Sequence, residues 1–210
     1  ACIIQISDVT ANISRERQLR EQTEALRRNT TQDILTGLTN RQTFDELLAT
    51  EFSGVAGNHQ PIDLLITDID SFAAYNSHFG RDEGDRRLAE IAQAFSATMP
   101  HGKTMLARYG NDEFALLLPD TEDTVACEMA VRLQRIVSDL AIPAQTDPPS
   151  SLSICVGVTV MHPDPNSDVH TLLASADVAL YQAKSEGTNR AAFFSVEDGT
   201  FHACATNRNQ

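Results

Sequence analysis

Three groups of carboxylates fall where the chain changes character: Asp68 with Asp70, Asp82 with Glu83 and Asp85, and Asp112 with Glu113. Crowded acids repel one another and gain nothing from burial, so such groups at the ends of structural elements point to a bound cation. Mg²⁺ is the natural candidate, because it takes oxygen ligands and usually holds substrate phosphates as well. Two such ions about 4 Å apart can clamp the attacking and leaving oxygens of an in-line displacement at phosphorus. Standing alone, the 112–113 pair reads first as a solvated acidic turn. The rest of the chain argues otherwise.

The elements around these acids can be read from the spacing of apolar residues. Asp112 and Glu113 follow Gly110-Asn111, between the apolar runs Met105–Ala107 and Phe114–Leu118. That pattern predicts a β-hairpin with strands near 104–109 and 114–118, joined by a tight turn in which Gly and Asn take positive φ. Asp68 and Asp70 close the near-continuous apolar run 62–69, the mark of a central strand covered on both faces. Ligands of α/β sheets gather at such strand ends. The spacing predicts a helix restarting near Asn40 with the stripe Phe44, Leu47, Leu48 and Phe52, then a loop over 53–61. A short helical segment over 71–80 holds Phe72, Tyr75 and Asn76, and a longer helix follows Gly84-Asp85. Further helices are expected over 122–140 and 168–184, the last stopped by Glu186-Gly187 and ending in Lys184. A loop over 143–150, strands over 152–161 and 191–196, and a disordered tail from 197 to 210 complete the chain.

The resulting order, β-α-α-β-β-α-β-α-β after a leading helix, implies an α/β (α+β) fold. A mixed sheet flanked by helices would contain a ferredoxin-like βαββαβ core with additions. In that core the first strand and the hairpin strands are neighbours. Asp68 would then meet Asp112 and Glu113 at one edge, with Lys184 able to add a positive charge.

The totals allow one good-sized domain and a short attachment in 210 residues. A composition 41% hydrophobic and 21% charged is that of an ordinary soluble globular protein. A net charge of −13 argues against a nucleic-acid partner or an anionic membrane, and requires local cations if the substrate is anionic. No apolar run approaches the roughly 20 residues of a membrane span, and no signal peptide is visible. The four cysteines lack metal-ligand spacing; Cys127 and Cys155 lie in apolar runs and read as reduced core residues of a cytoplasmic domain. The chain opens in mid-strand without an initiator Met, as a fragment of a longer protein would. Residues 11–32 are polar with sparse apolar positions (Ile13, Leu19, Leu26) and read as a short dimerising helix or a solvated linker.

Five blocks carry a resemblance to a known family. They are Asp33-Ile34-Leu35-Thr36-Gly37-Leu38-Thr39-Asn40-Arg41, Asp68-Ile69-Asp70-Ser71-Phe72, Asn76 through Gly84-Asp85, Arg108-Tyr109-Gly110-Asn111-Asp112-Glu113-Phe114, and Ala176 through Lys184. In this order and spacing, over residues 33–196, they resemble a GGDEF domain, the diguanylate cyclase family, with a nucleotide-cyclase-like fold. Residues 1–10, ending Asp8-Val9-Thr10, resemble the C-terminal edge of a PAS sensor domain, which makes 11–32 its signalling helix.

The resemblance implies condensation of two GTP into cyclic di-GMP and two pyrophosphates. It implies two Mg²⁺ per active site, with Mn²⁺ as an alternative, held by Asp68, Asp112, Glu113 and the Ile69 carbonyl. Glu113 would be a ligand or a base for the ribose 3′-hydroxyl. Asn76 and Asp85 would read guanine, whose N1–H and N2 amine a carboxylate can accept together. Phe72 and Ala73 would offer backbone N–H groups to the phosphates, Gly110 and Asn111 would bring backbone close to GTP, and Lys184 would contact the terminal phosphate. One GTP per site makes a homodimer, through the N-terminal helix and facing domains, part of the mechanism.

Several positions depart from the family pattern. Asn111 replaces the second glycine of the signature, Ala73 a lysine, and Thr188 a phosphate-binding arginine that Arg190 stands too far along to replace. His101 and Thr104 replace the arginine and aspartate of the product-inhibition motif, so no feedback site is expected. The alternative reading is accordingly a degenerate, weakly active or inactive domain that binds GTP as a regulatory signal or serves only to dimerise.

Overall fold

The strand Ile62–Ile69 is the centre of the molecule, buried at seven of its eight positions and hydrogen-bonded on both sides. The computed structural model describes residues 31–58, 60–99, 104–121, 123–144 and 150–204. In chain order these form β1 (Thr39–Asn40), α1 (Arg41–Ala56), β2 (Ile62–Ile69), α2 (Phe72–Phe79), α3 (Arg81–Thr98), β3 (Met105–Arg108) and β4 (Glu113–Pro119). There follow α4 (Asp123–Asp139), β5 (Pro143–Ala144), β6 (Ser150–Ser151), β7 (Ile154–Met161), α5 (Val169–Ser185), β8 (Ala191–Ser195) and β9 (Thr200–Ala203).

The main sheet has the order β1-β3-β4-β2-β7-β8-β9. Its inner four strands, β3-β4-β2-β7, reproduce the ferredoxin-like βαββαβ arrangement. β1 adds to β3 in parallel, β8 to β7 in parallel and β9 to β8 antiparallel, so the sheet is mixed as expected. Alternation along β2 divides the core. Leu65 and Ile69 pack with Phe72, Leu88, Ile91 and Phe95 from α2 and α3 and Leu133 from α4. Leu64 and Ile66 pack on the other face with Phe44 and Leu48 of α1 and Leu172, Ala176 and Leu180 of α5. Asp68, in step with Leu64 and Ile66, therefore belongs to the α5 side. α5 lies close on the sheet because β7 has no side chain at Gly157, where a Cβ would strike Leu180 N and Ala176 O.

Some boundaries differ from expectation. α1 runs on to Ala56 through residues expected as loop, because Val55 and Ala56 extend the buried stripe of Phe44, Leu48 and Phe52; Leu47 is off that stripe and exposed. α3 starts at Arg81 rather than after Asp85, since Gly80 takes φ 89° and turns the chain directly out of α2. β5 and β6 pair within the segment expected to be a loop. The tail is not all disordered: Thr200–Ala203 pair with β8 as β9, placing alternate side chains such as Phe201 beside Phe194. That strand also corrects the reading of Cys127 as a reduced core residue. Cys204 follows β9 and comes over α4, with Cα–Cα 5.2 Å, and the two cysteines form a disulfide. Cys155 is free and buried. Residues 1–30, with the PAS-like edge, all but the last two residues of the expected signalling helix and Cys2, lie outside the described residues, as does His101; Gln32, expected to end that helix, instead bridges Thr39. No helix among the described residues is long and apolar enough to cross a membrane.

Candidate active site

β2 and β4 bring the two outer acid groups together. Asp68 and Glu113 are directly paired across the ladder, and the Ile69 N–H donates to the Asp112 carbonyl at 3.2 Å. The link from β3 to β4 is a four-residue bend, 109–112, rather than the tight two-residue turn expected; neither Gly110 nor Asn111 takes positive φ. Gly110 leaves room for Glu113: a Cβ there would displace the Glu113 side chain, which folds back over the bend. Tyr109 and Gly110 both donate their backbone N–H to the Glu113 carbonyl, at 2.8 and 3.2 Å.

The bend is braced from outside the hairpin. Arg108 Nη1 lies 3.2 Å from both oxygens of Asp33, and its Nη2 donates to the Asn111 carbonyl at 2.7 Å. Asp33 also accepts from the Thr36 N–H at 2.8 Å and hydroxyl at 2.7 Å. Burial alone would raise the Asp33 pKa, but the Thr36 hydrogen bonds and the Arg108 guanidinium outweigh it and hold the carboxyl below its ordinary value. On the opposite side Arg41, at the start of α1, lies over the Tyr109 ring at 4.4 Å, and Phe44 meets that ring edge-on.

Lys184, in the last turn of α5, reaches Asp68 at 2.6 Å. Burial pushes the Asp68 carboxyl up; Lys184 opposes this, and Asp112 and Asp70 reinforce it. Burial likewise raises Glu113, with Asp68 and Asp112 adding to the effect and Lys184 opposing. Asp177 also raises Glu113 and is itself raised by burial, against the pull of Arg41. Sequence reasoning quoted Asp177 inside a motif without giving it a role. Its signal was available: seven residues before Lys184, it shares that residue's helix face.

The residues expected to read the nucleotide lie at the β2–α2 turn and the α2–α3 elbow. Ser71 takes the left-handed conformation, φ 56°, and starts α2, whose first-turn N–H groups, Phe72 and Ala73 among them, have no intrahelical acceptor. Phe72's ring is buried while Ala73 is exposed. At the elbow, Asn76 Oδ1 is buried without a hydrogen-bond partner. It lies against Gly84, where any Cβ would collide with it, and Asp85 is exposed on the adjacent residue of α3. The third acid group does not act as a unit: Glu83 turns to Arg86 and Arg87 at 2.7 and 2.8 Å.

Among the described residues no three carboxylate, imidazole or thiol groups converge as a closed metal cage. The donors do fit Mg²⁺, which typically takes one or two carboxylates and completes its shell with water and substrate phosphate. Asp68 and Glu113 are oxygen donors whose proton affinities are both raised, first by burial and then by neighbouring acids, and a cation is the electrostatic remedy.

Comparison with known proteins agrees with this fold. The family model described as "Diguanylate cyclase, GGDEF domain" matches residues 30–190. The probable diguanylate cyclase DgcC of Escherichia coli K12 is 33% identical over 173 residues, 82% of this chain and 46% of that protein. The diguanylate cyclase VdcA of Vibrio cholerae is 32% identical over 186 residues, 89% of this chain and 52% of that protein. The chain thus spans about half the length of these curated relatives. The coiled coil and GGDEF domain of DgcB from Caulobacter crescentus, solved with c-di-GMP, superposes with a TM-score of 0.77 at 27% identity, covering 91% of this chain and 97% of that one. The diguanylate cyclase SiaD from Pseudomonas aeruginosa, solved with its activator SiaC, gives 0.72 at 31% identity, covering 91% and 72%.

Proposed function

The chain belongs to the GGDEF diguanylate cyclase family, and from that premise we propose that it condenses two GTP into cyclic di-GMP, releasing two pyrophosphates. The observation that carries this reading is the pairing of Asp68 with Glu113, next to Asp112, on the rim reached by Lys184.

Asn76 and Asp85 read guanine: the exposed Asp85 carboxylate accepts N1–H and the N2 amine, with the Asn76 amide beside it at the elbow. The triphosphate runs along the first-turn amides of α2, at Phe72 and Ala73, where the helix dipole favours negative charge. Gly110 and Asn111 approach it through backbone, and Lys184 contacts the terminal phosphate. Asp68, Asp112, Glu113 and the Ile69 carbonyl would hold two Mg²⁺ (or Mn²⁺). When bound, the metal neutralises the triphosphate and makes the α-phosphate more electrophilic. Glu113, beside Asp68 on the same rim, accepts the proton of the ribose 3′-hydroxyl. That oxygen bonds to the α-phosphorus of the facing GTP as the bond to the β-phosphate oxygen breaks, and pyrophosphate leaves. Each domain supplies one GTP, so two copies must face each other, brought together by the helix within residues 11–32. A GTP-consuming domain of this kind works in the cytoplasm.

Ala73 and Thr188 leave the site short of two cations, and this favours a second reading, a weakly active or inactive domain that binds GTP as a signal or only dimerises. Incubation with GTP and Mg²⁺ followed by chromatography separates the two. Asp112→Ala abolishes product under the first reading and changes nothing measurable under the second.

A further inference from the structure

Asp70 stands beside this machinery without belonging to it. Its Oδ2 accepts the Ser153 hydroxyl at 2.5 Å and the Asn189 backbone N–H at 2.8 Å, and its own N–H donates to the Ser153 carbonyl at 2.9 Å. One carboxylate thus joins three segments: the β2–α2 turn, the start of β7 and the α5–β8 turn. Both turns are strained. Ser71, the next residue, and Asn189 each hold φ 56°, and Gly187 holds φ 124°. Left-handed conformations at residues other than glycine persist only where their surroundings fix them. The α5–β8 turn is further tied by the Cys155 thiol, which donates to the Gly187 carbonyl at 3.3 Å, and by the Val156 N–H, which donates to the Arg190 carbonyl at 2.9 Å. The β2–α2 turn, by contrast, carries the Phe72 and Ala73 amides, and the α5–β8 turn follows directly on Lys184.

We propose that Asp70 is a positioning residue for the triphosphate: it locks the two turns together so that the Phe72 and Ala73 amides and the Lys184 ammonium face one phosphate-binding space. This inference rests on the GTP reading above. It assigns Asp70 a role in aligning phosphate ligands, with no metal of its own and no contact with guanine, which is read at the elbow beyond α2.

The test compares a non-hydrolysable α,β-methylene GTP analogue, with Mg²⁺, against guanosine, by titration calorimetry on the full chain. Loss of two hydrogen bonds to a charged group predicts that Asp70→Ala weakens the analogue about tenfold or more. Guanosine affinity stays within about twofold, because the elbow is untouched. Asp70→Asn, which keeps an accepting oxygen in place, restores most of the affinity, and Ser153→Ala lowers it about threefold. Hydrogen exchange provides an arm independent of GTP: the hydrogen-bonded amides of Asp70 and Tyr75 at one turn and of Gly187 and Asn189 at the other should exchange faster together in Asp70→Ala. Unchanged analogue binding in Asp70→Ala, or parallel loss of analogue and guanosine, overturns the proposal. Should Asp70→Ala fail to fold, the other two variants decide, and wild-type analogue affinity in Ser153→Ala overturns it. Wild-type protein that binds neither ligand removes the GTP reading instead, and the exchange arm still shows whether Asp70 couples the turns.

Discussion

Lys184 and Asp68 form an ion pair of 2.6 Å that ties the last turn of α5 to the end of the central strand. The pair neutralises one acid of a cluster in which Asp112, Glu113 and Asp70 all raise or feel repulsion. Because the ammonium and a divalent cation would neutralise the same carboxylate, the two compete for Asp68.

Lys184→Met removes the competitor and leaves the acids unrelieved. In EDTA the variant should melt below wild type. On adding Mg²⁺ its melting temperature should rise more than that of wild type, because the metal no longer displaces an internal cation. Equal Mg²⁺-induced shifts in differential scanning calorimetry would show that the two cations do not share Asp68.

The pH dependence follows from the same acids. Asp68 and Glu113 have pKa values raised above their unfolded ones, so their carboxylates penalise the folded state once ionised. Stability from these groups is complete below the ordinary carboxylate range of about 4 and is lost as pH rises through the raised folded values. Glu113→Gln should therefore increase the urea midpoint of metal-free protein near about pH 7.5 and leave it unchanged near about pH 3.5. A midpoint that falls at neutral pH would contradict the origin assigned to the shift.

Asp33 carries the opposite sign. Its pKa is lowered, so its contribution is present above the unfolded value and is lost as pH falls through the folded one. The Asp33 and Arg108 side chains are only 23% and 17% exposed. Asp33→Ala strips Arg108 of its partner and Thr36 of its acceptor, and should cost about 2 kcal/mol in urea denaturation at neutral pH. The loss should shrink in acid. It should also loosen the 109–112 bend through Asn111, lowering product formation beyond what stability explains.

The site's frame was legible because its signals are local. The apolar run 62–69 ending in Asp68, the acids after Gly110-Asn111 and the amphipathic helix ending in Lys184 each declare themselves within one continuous stretch of the chain. What stayed hidden depends on distant partners. Lys184 was expected to add its charge at that edge, but nothing near it says which acid it meets, and nothing near Asp70 points to Asn189. The bend at 109–112 was misjudged because Gly110 answers to the Glu113 side chain rather than to a φ requirement. β9 was missed because Thr200 and His202 lack strand patterning and rely on pairing with Phe193 and Ser195 for their conformation.

Gly84 offers a clean test of guanine reading. Inside a helix, Gly→Ala would ordinarily add up to about 1 kcal/mol of stability. Here the new methyl must displace the Asn76 amide and also presses on the buried Phe72 ring at 3.3 Å, so the helix gain is offset and the folded protein should melt no higher than wild type. Affinity for GTP should fall about tenfold or more, and preference over ATP should fall with it. Undiminished discrimination would move the base away from Asn76.

The Cys127–Cys204 disulfide closes a loop of 77 residues in sequence separation and fastens the outermost strand to α4. Constraint of the unfolded chain by a loop of that length is worth about 4 kcal/mol in the chain-entropy account. Cys204→Ser, or reduction by dithiothreitol, should lower the urea-derived stability of the oxidised protein by about that amount. In Cys204→Ser the reductant should then have no further effect, since Cys155 is buried and its thiol is pushed up to about 12, chiefly by burial. Because β9 lies at the opposite edge of the sheet from β3, product formation by the surviving folded fraction should be unchanged. A reductant-insensitive wild type with one titratable thiol more than Cys204→Ser, rather than one fewer, under native oxidising conditions would show that the pair does not form.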